Sequence, residues 1–377
     1  MKIREILGES RILAESARIQ HAEDILFWEG SKGAVRAIQS LINMEKGGNK
    51  ATTVKWDGSP AVIFGRDDNG EFIFTDKSGF TARGYDGKAK SGKDLKNMFL
   101  NRSGGKNREN PSYVNFATNM QNVFDVFARA VPRDYRGYFK GDLLYFNTPP
   151  IVNGHYAFKP NVVEYYVPIN TTLGKQIGQS KVGVVIHRQI DDMGNESPLT
   201  DGKVLRSGEL LVVPPVTVEQ PPQVDINATN KLMSIARTHG RDIDMLLDDS
   251  ELREKKISDF ANILYTYVNS KVDTGLANIG ADFQQWLASS KVSTVKQAKI
   301  IQHISDNLTG WQALWTLVAG IMNVKNGIIA QLDKSSSIKA TTAGQEGGEG
   351  YVIADPQGDI KLVNRSGFTA ANRAVQR

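Results

Sequence analysis

Lys55 closes an apolar, strand-forming run and precedes a turn, in Thr52-Thr53-Val54-Lys55-Trp56-Asp57-Gly58-Ser59-Pro60. A lysine at a strand end with glycine close by can lay its amine against a phosphate. Partly desolvated and near other cations or a metal, its pKa falls and the amine becomes a nucleophile. Asp57 opposes that shift, so the surrounding positive charge must outweigh it. Asp57 and Gly58 keep the turn tight and offer an acceptor and an open backbone. The chemistry this suits is nucleophilic work by the amine beside a phosphate.

Positive charge is unevenly spread. The 377-residue chain carries a net charge of only +5, yet residues 77–108 hold nine Lys or Arg against Asp86 and Asp94. Such a block suits a phosphate-bearing partner, or is simply a solvated surface segment. Cysteine is absent, which excludes disulfides and thiolate metal sites. The five histidines (His21, His155, His187, His239, His303) are dispersed without an i, i+4 pair, so a zinc site is not expected. SGFTA occurs twice, at 78–82 after Lys77 and at 366–370 after Arg365. Each copy follows a strand and a cation, either a coincidence of turn sequence or a pair of phosphate-binding turns.

The elements that must position these residues can be read from hydrophobic period. Residues 10–46 read as helical, with Ser31 as a cap, Val35, Ile38, Leu41 and Ile42 on one stripe, and Gly47-Gly48 as the stop. AVIFGR and EFIFTD flank Asp67-Asp68-Asn69-Gly70 and predict a hairpin. A helix is expected over 112–131, and strands over 135–146, 162–169 and 182–190. The proline-rich 204–225 reads as a linker or edge segment. Residues 226–333 carry only helical spacing, and strand character returns at 351–364 after a Ser/Thr/Gly-rich tract. The expected organisation is an N-terminal helical segment (1–48), a sheet core (49–225), an inserted helical block (226–334) and a final piece of the core (335–377). MKIREILGESRILAES lacks the pattern of a secretory leader, and the densest apolar run, 313–324, is shorter than a bilayer span. A soluble chain with no membrane partner is expected.

Lys55-Trp56-Asp57-Gly58 resembles the KxDG nucleophile motif of the covalent nucleotidyltransferases: ATP-dependent DNA ligases, RNA ligases and mRNA capping enzymes. The extension KWDGSP is closest to the RNA-ligase form. FTDKSG at 74–79 falls where ligases carry a strand ending in Ser-Arg-x-Gly. The resemblance therefore gives Lys77 the arginine's role, with Arg83 as the competing candidate. YFKGDLLYF resembles the strand with a carboxylate after glycine, making Asp142 the ribose- or metal-facing acid, and VGVVIHR is in order for the next core strand. EGYVI matches EGxVI, which would make Glu349 a metal carboxylate. Lys361 in DIKLV would be the lysine on the α-phosphate.

The resemblance covers about 50–225 and 345–365. It implies an α+β, ligase-type nucleotidyltransferase fold with ATP-grasp-like antiparallel sheets. It implies ATP and Mg2+ (or Mn2+) as cofactors, and nucleotide contacts from Asp57, Gly58, Lys77, Arg83, Asp142, Glu349 and Lys361. Departures stand beside it. Pro60 replaces an arginine common in DNA ligases, the second lysine of the last motif is missing, and the chain ends 16 residues after Lys361, without room for a C-terminal OB-fold. The overall style also resembles ligase-like proteins of tailed bacteriophages, implying the cytoplasm of an infected bacterium. The favoured expectation is an ATP-dependent polynucleotide ligase, RNA before DNA, that adenylates Lys55 and seals 5′-phosphate to 3′-hydroxyl ends. It would grip nucleic acid through 77–108 and the helical block. NMP transfer to a cap, a protein or a small molecule, and a non-catalytic protein retaining the fold, stay open beside it. Oligomeric state is not legible.

Overall fold

The alternation of Thr52, Val54 and Lys55 makes a four-residue strand, Thr52–Lys55, that must bury one face. Its partners come from the far end of the chain. In the computed structural model it pairs antiparallel with Gly350–Ile353, which pairs antiparallel with Ile360–Leu362, which in turn takes the two-residue strand Gln20–His21 in parallel. The structure describes residues 20–47, 51–82, 87–191, 195–199, 204–205, 207–272, 276, 278–369 and 371.

The chain divides into two compact units, 1–55 with 216–336 and 349–377, and 56–215 with 337–348. This differs from the expected four segments. The helices of 226–334 do not stand as a block of their own. They share one hydrophobic core with the Ile25–Glu45 helix and with Tyr351, Ile353, Ile360 and Leu362 of the small sheet.

In the first unit, the Ile25–Glu45 helix is broken at Gly30 (φ 60°, ψ −142°). Its second half is capped from outside. Ser31 donates from its backbone N and its Oγ to the Asp244 carboxylate, at 2.7 and 2.8 Å, so the expected Ser31 cap is supplied by Asp244 instead. The expected helix from residue 10 lies partly outside the described residues. The Leu308–Ser335 helix is 28 residues, long and apolar enough by length and composition to cross a membrane. The 12-residue run noted in the sequence was only its densest part. Its Leu314, Leu317, Val318, Ile321, Ile328 and Ile329 are buried in the unit's own core.

In the second unit, the predicted hairpin forms, Ala61–Arg66 against Phe72–Thr75, and Ala61–Arg66 pairs on its other side with Gly137–Tyr145. Val182–Ile190 and Glu196–Pro198 extend this sheet, and Leu210–Val212 joins Val182–Ile190 in parallel. The Pro111–Ala130 helix, capped by Asn110, packs Met120, Val123, Phe124 and Phe127 into this core. A second sheet runs Gln345–Glu346, Lys339–Thr342, Val163–Pro168, His155–Phe158, Ile151–Val152. The basic stretch is more regular than its Gly/Ser content suggested. Gly92–Asn101 is a helix capped by Ser91, followed by a 3-10 segment, Arg102–Glu109.

Candidate active site

Strand register decides which side chains share a face. Lys55 lies opposite Gly350, Thr53 opposite Val352, Val352 opposite Lys361, and Lys361 opposite His21. With a side-chain period of two, Lys55, Thr53, Val352, Lys361 and His21 point to one side of the small sheet. Ile353, Tyr351, Ile360 and Leu362 point to the other and are buried in the helical core. The sheet is thus an apolar plate on one side and a cationic one on the other.

Lys55 is ion-paired with Glu349 across the strand junction, a contact between residues 294 positions apart. The two side chains keep 24% and 12% of their exposure, so the pair is partly accessible. Gly350 follows Glu349 for a steric reason. Its φ is +136°, and a Cβ there would lie 2.0 Å from the Leu362 carbonyl oxygen. Only glycine lets the strand pass close enough to deliver Glu349 to Lys55.

Next to His21 lies a buried group of charges that sequence reasoning missed. Glu23, Asp24, Lys325 and Arg365 are all buried. Lys325 donates to both Glu23 oxygens, at 2.6 and 2.8 Å, and Arg365 pairs with Asp24 while its Nε sits 3.3 Å from Glu23. Burial pushes the Asp24 carboxyl up to about 6, with the Glu23 charge adding to it and Arg365 working against it. Burial likewise lowers the Lys361 ammonium, and Lys55 and Arg365 lower it further against Asp24 and Glu349. His21, only 7% exposed, is driven well below its usual range by burial and then by Arg365, Lys361, Lys325 and Lys55. Its imidazole is therefore neutral near pH 7. The only trace of this cluster in the sequence is the run His21-Ala22-Glu23-Asp24, in which two acids precede an apolar helix.

The other candidates belong to the second unit. Asp57 is 5% exposed, and its carboxylate is engaged there. One oxygen accepts from Asn161, the other from the backbone N of Val162 and Val163, while Asp57 N donates to the Tyr165 hydroxyl. The turn is thereby stitched to the Val163–Pro168 strand. Gly58 packs so closely on Asp142 that a Cβ would meet the Asp142 Cβ at 2.5 Å. Asp142 is 2.8 Å from His187 Nε2. Lys77 is exposed at the start of a single helical turn whose cap, Asp76, is paired with Arg102. Arg83 lies outside the described residues. Lys55, Glu349 and Lys361 therefore fall in one unit and Asp57, Gly58, Lys77 and Asp142 in the other. Among the described residues, no three His, Asp or Glu side chains converge as a metal cluster.

Over residues 17–377 the chain matches a family of unknown function (DUF6267), and it belongs to that family. No curated protein and no solved structure matches it.

Proposed function

We propose that the protein is an ATP-dependent polynucleotide ligase, RNA before DNA, that works through a lysyl–AMP intermediate on Lys55. One observation carries the reading: Lys55, Glu349 and Lys361, widely separated in sequence, lie on or beside adjacent strands, the two lysines on one face and Glu349 ion-paired to Lys55. The reading is supported by the placement of this lysine–carboxylate pair at a part-exposed strand end, on the same face as a second, partly buried lysine.

In the proposed step the unprotonated Lys55 amine attacks the α-phosphorus of ATP. The Nζ–P bond forms, the bond to the bridging oxygen breaks with its electrons leaving on pyrophosphate, and the now cationic nitrogen releases one of its two protons to water. Lys361 would stabilise the charge gathering on the α-phosphate oxygens. Transfer of AMP to a 5′-phosphate frees Lys55, and attack by a 3′-hydroxyl then releases AMP and seals the strand. Magnesium keeps most of its waters and takes one or two carboxylates besides phosphate oxygens, and in the first unit Glu349 would be the carboxylate to hold it. When bound it supplies charge neutralisation at the phosphates.

The test is intact-mass spectrometry after incubation with magnesium and either ATP or GTP, alongside Lys55→Ala. An AMP adduct that is absent from the variant and reversed by pyrophosphate is expected. A GMP adduct would redirect the reading to capping. No adduct in folded protein, with manganese also supplied, would leave a non-catalytic protein that retains the motif residues.

A further inference from the structure

The first unit carries an open groove of about 1110 Å3 that the motif residues do not touch. That volume exceeds the usual range for a single small-molecule pocket, about 300–1,000 Å3, and suits an extended occupant. One wall is a stripe of the Ile25–Glu45 helix, where Lys32, Arg36, Gln39 and Asn43 recur at helical spacing. At 1.5 Å per residue that stripe is roughly 16 Å long. The facing wall comes from Arg237, Arg241, Asp244 and Asp248 on the helices that follow Ile226, and the turn at Asp355–Gln357 closes one side.

Formal charge along the groove is mixed, but the two signs are used differently. Every lining carboxylate is engaged inside the unit. Asp244 takes the two Ser31 donors, Asp248 caps Glu251 N, Glu251 holds Lys255, and Asp355 holds Arg36 and Ser40. The exposed cations Lys32, Arg237 and Arg241 have no such partner among the described residues. Glu251 and Asp355 are ion-paired, whereas Asp244 and Asp248 accept from neutral donors and keep their charge, so the unpaired charges of the lining are the three cations Lys32, Arg237 and Arg241 against two carboxylates, with amide side chains between them. The Asp355–Gln357 turn joins the Gly350–Ile353 and Ile360–Leu362 strands, so the groove abuts the far end of the sheet that carries Lys55.

We propose that this groove binds the phosphodiester backbone of a single-stranded nucleic acid, with Lys32, Arg237 and Arg241 each neutralising a phosphate. The inference rests on the polynucleotide reading above and adds a site on helices that the motif resemblance does not cover. It places the strand on the first unit, not only on the basic stretch at 77–108.

The experiment measures fluorescence anisotropy of a labelled, 5′-phosphorylated single strand of about 16 nucleotides, as RNA and as DNA, over a range of salt. The proteins are the full chain, Lys32→Glu/Arg237→Glu/Arg241→Glu, and a control with equal charge change at exposed lysines that do not line the groove, Lys175→Glu/Lys231→Glu/Lys291→Glu. The groove variant is expected to bind at least about tenfold more weakly, with a salt slope shallower by about 2, the value for three phosphates on a single strand. The control should stay near wild type. Preference for RNA would add a reading of the 2′-hydroxyl, and equal binding would mean the backbone alone is held. Wild-type affinity in the groove variant, equal loss in the control, or no binding by the wild-type chain would each overturn the proposal. Adduct formation with ATP is scored on the same proteins. Groove-dependent binding without an adduct sinks the ligase reading and spares the groove, and an adduct without groove-dependent binding does the reverse.

Discussion

At the scale of single residues, the notable choice is to bury Glu23, Asp24, Lys325 and Arg365 together next to His21. Buried ion pairs are poor sources of stability, because desolvation offsets most of the attraction. Here Arg365 and Lys325 act as a fixed field that disfavours the charged form of His21, and Arg365 acts the same way on Lys361 against Asp24. Arg365 also stands near where the resemblance expects a second lysine, but it is 1% exposed and turned to Asp24 and Glu23. His21 offers a test of this field. Because its folded pKa lies well below the unfolded value of about 6.5, only the unfolded chain takes up its proton as pH falls below neutrality. Stability therefore drops through that window by up to roughly 1 kcal/mol per pH unit. Asp24, raised to about 6, acts with the opposite sign, since there the folded chain holds the proton more tightly. Comparing wild type with His21→Gln by urea unfolding from pH 7.5 to 5 isolates the histidine. The wild type should lose stability relative to the variant as pH falls, whereas a pH-independent gap would mean that His21 is not held neutral.

At the scale of elements, the strand pair that carries Lys55 and Glu349 depends on close backbone passage at Gly350. Gly350→Ala combines a left-handed φ with a 2.0 Å clash against backbone, so a loss of about 2–4 kcal/mol is expected from strain and overpacking. Gly344→Ala is the matched comparison. It also has positive φ, +79°, but open space around it, and should cost only about 1 kcal/mol. Urea unfolding of both variants decides the matter, and equal losses would show that close passage at Gly350 is not the constraint. The same element scale shows what could be read in advance. The Ala61–Arg66 hairpin and the Pro111–Ala130 helix were legible because local turn chemistry and a helical stripe agree in each. The hairpin Lys339–Thr342 with Gln345–Glu346 was not, since its Thr, Ala and Gln residues carry no apolar alternation and its turn rests on positive φ at Ala343 and Gly344.

At the scale of the whole molecule, each unit has its own core, and the first is assembled from three separate stretches of chain. Stopping the chain at Gly348 would remove both strands that join Thr52–Lys55 to Gln20–His21, along with Tyr351, Ile353, Ile360 and Leu362 from the first core. Hydrogen exchange read by mass spectrometry should then show protection lost over Thr52–Lys55 and the Ile25–Glu45 helix. It should persist over Ala61–Arg66 and Gly137–Tyr145. Retained protection in the first set would mean that its helices hold the unit without the sheet.

By itself the sequence determined the local things: a lysine closing a strand, helices with one apolar stripe, a glycine after Glu349, and the absence of cysteine chemistry. These follow from interactions among near neighbours, which composition and period record. Only the tertiary structure decided that Glu349 meets Lys55 and that Lys325, 302 residues away, neutralises Glu23. It also decided that Asp57 spends its carboxylate on the backbone of Val162 and Val163. Pairings between distant segments are set by which buried faces and register fit together, and neither motif nor period encodes that partner directly.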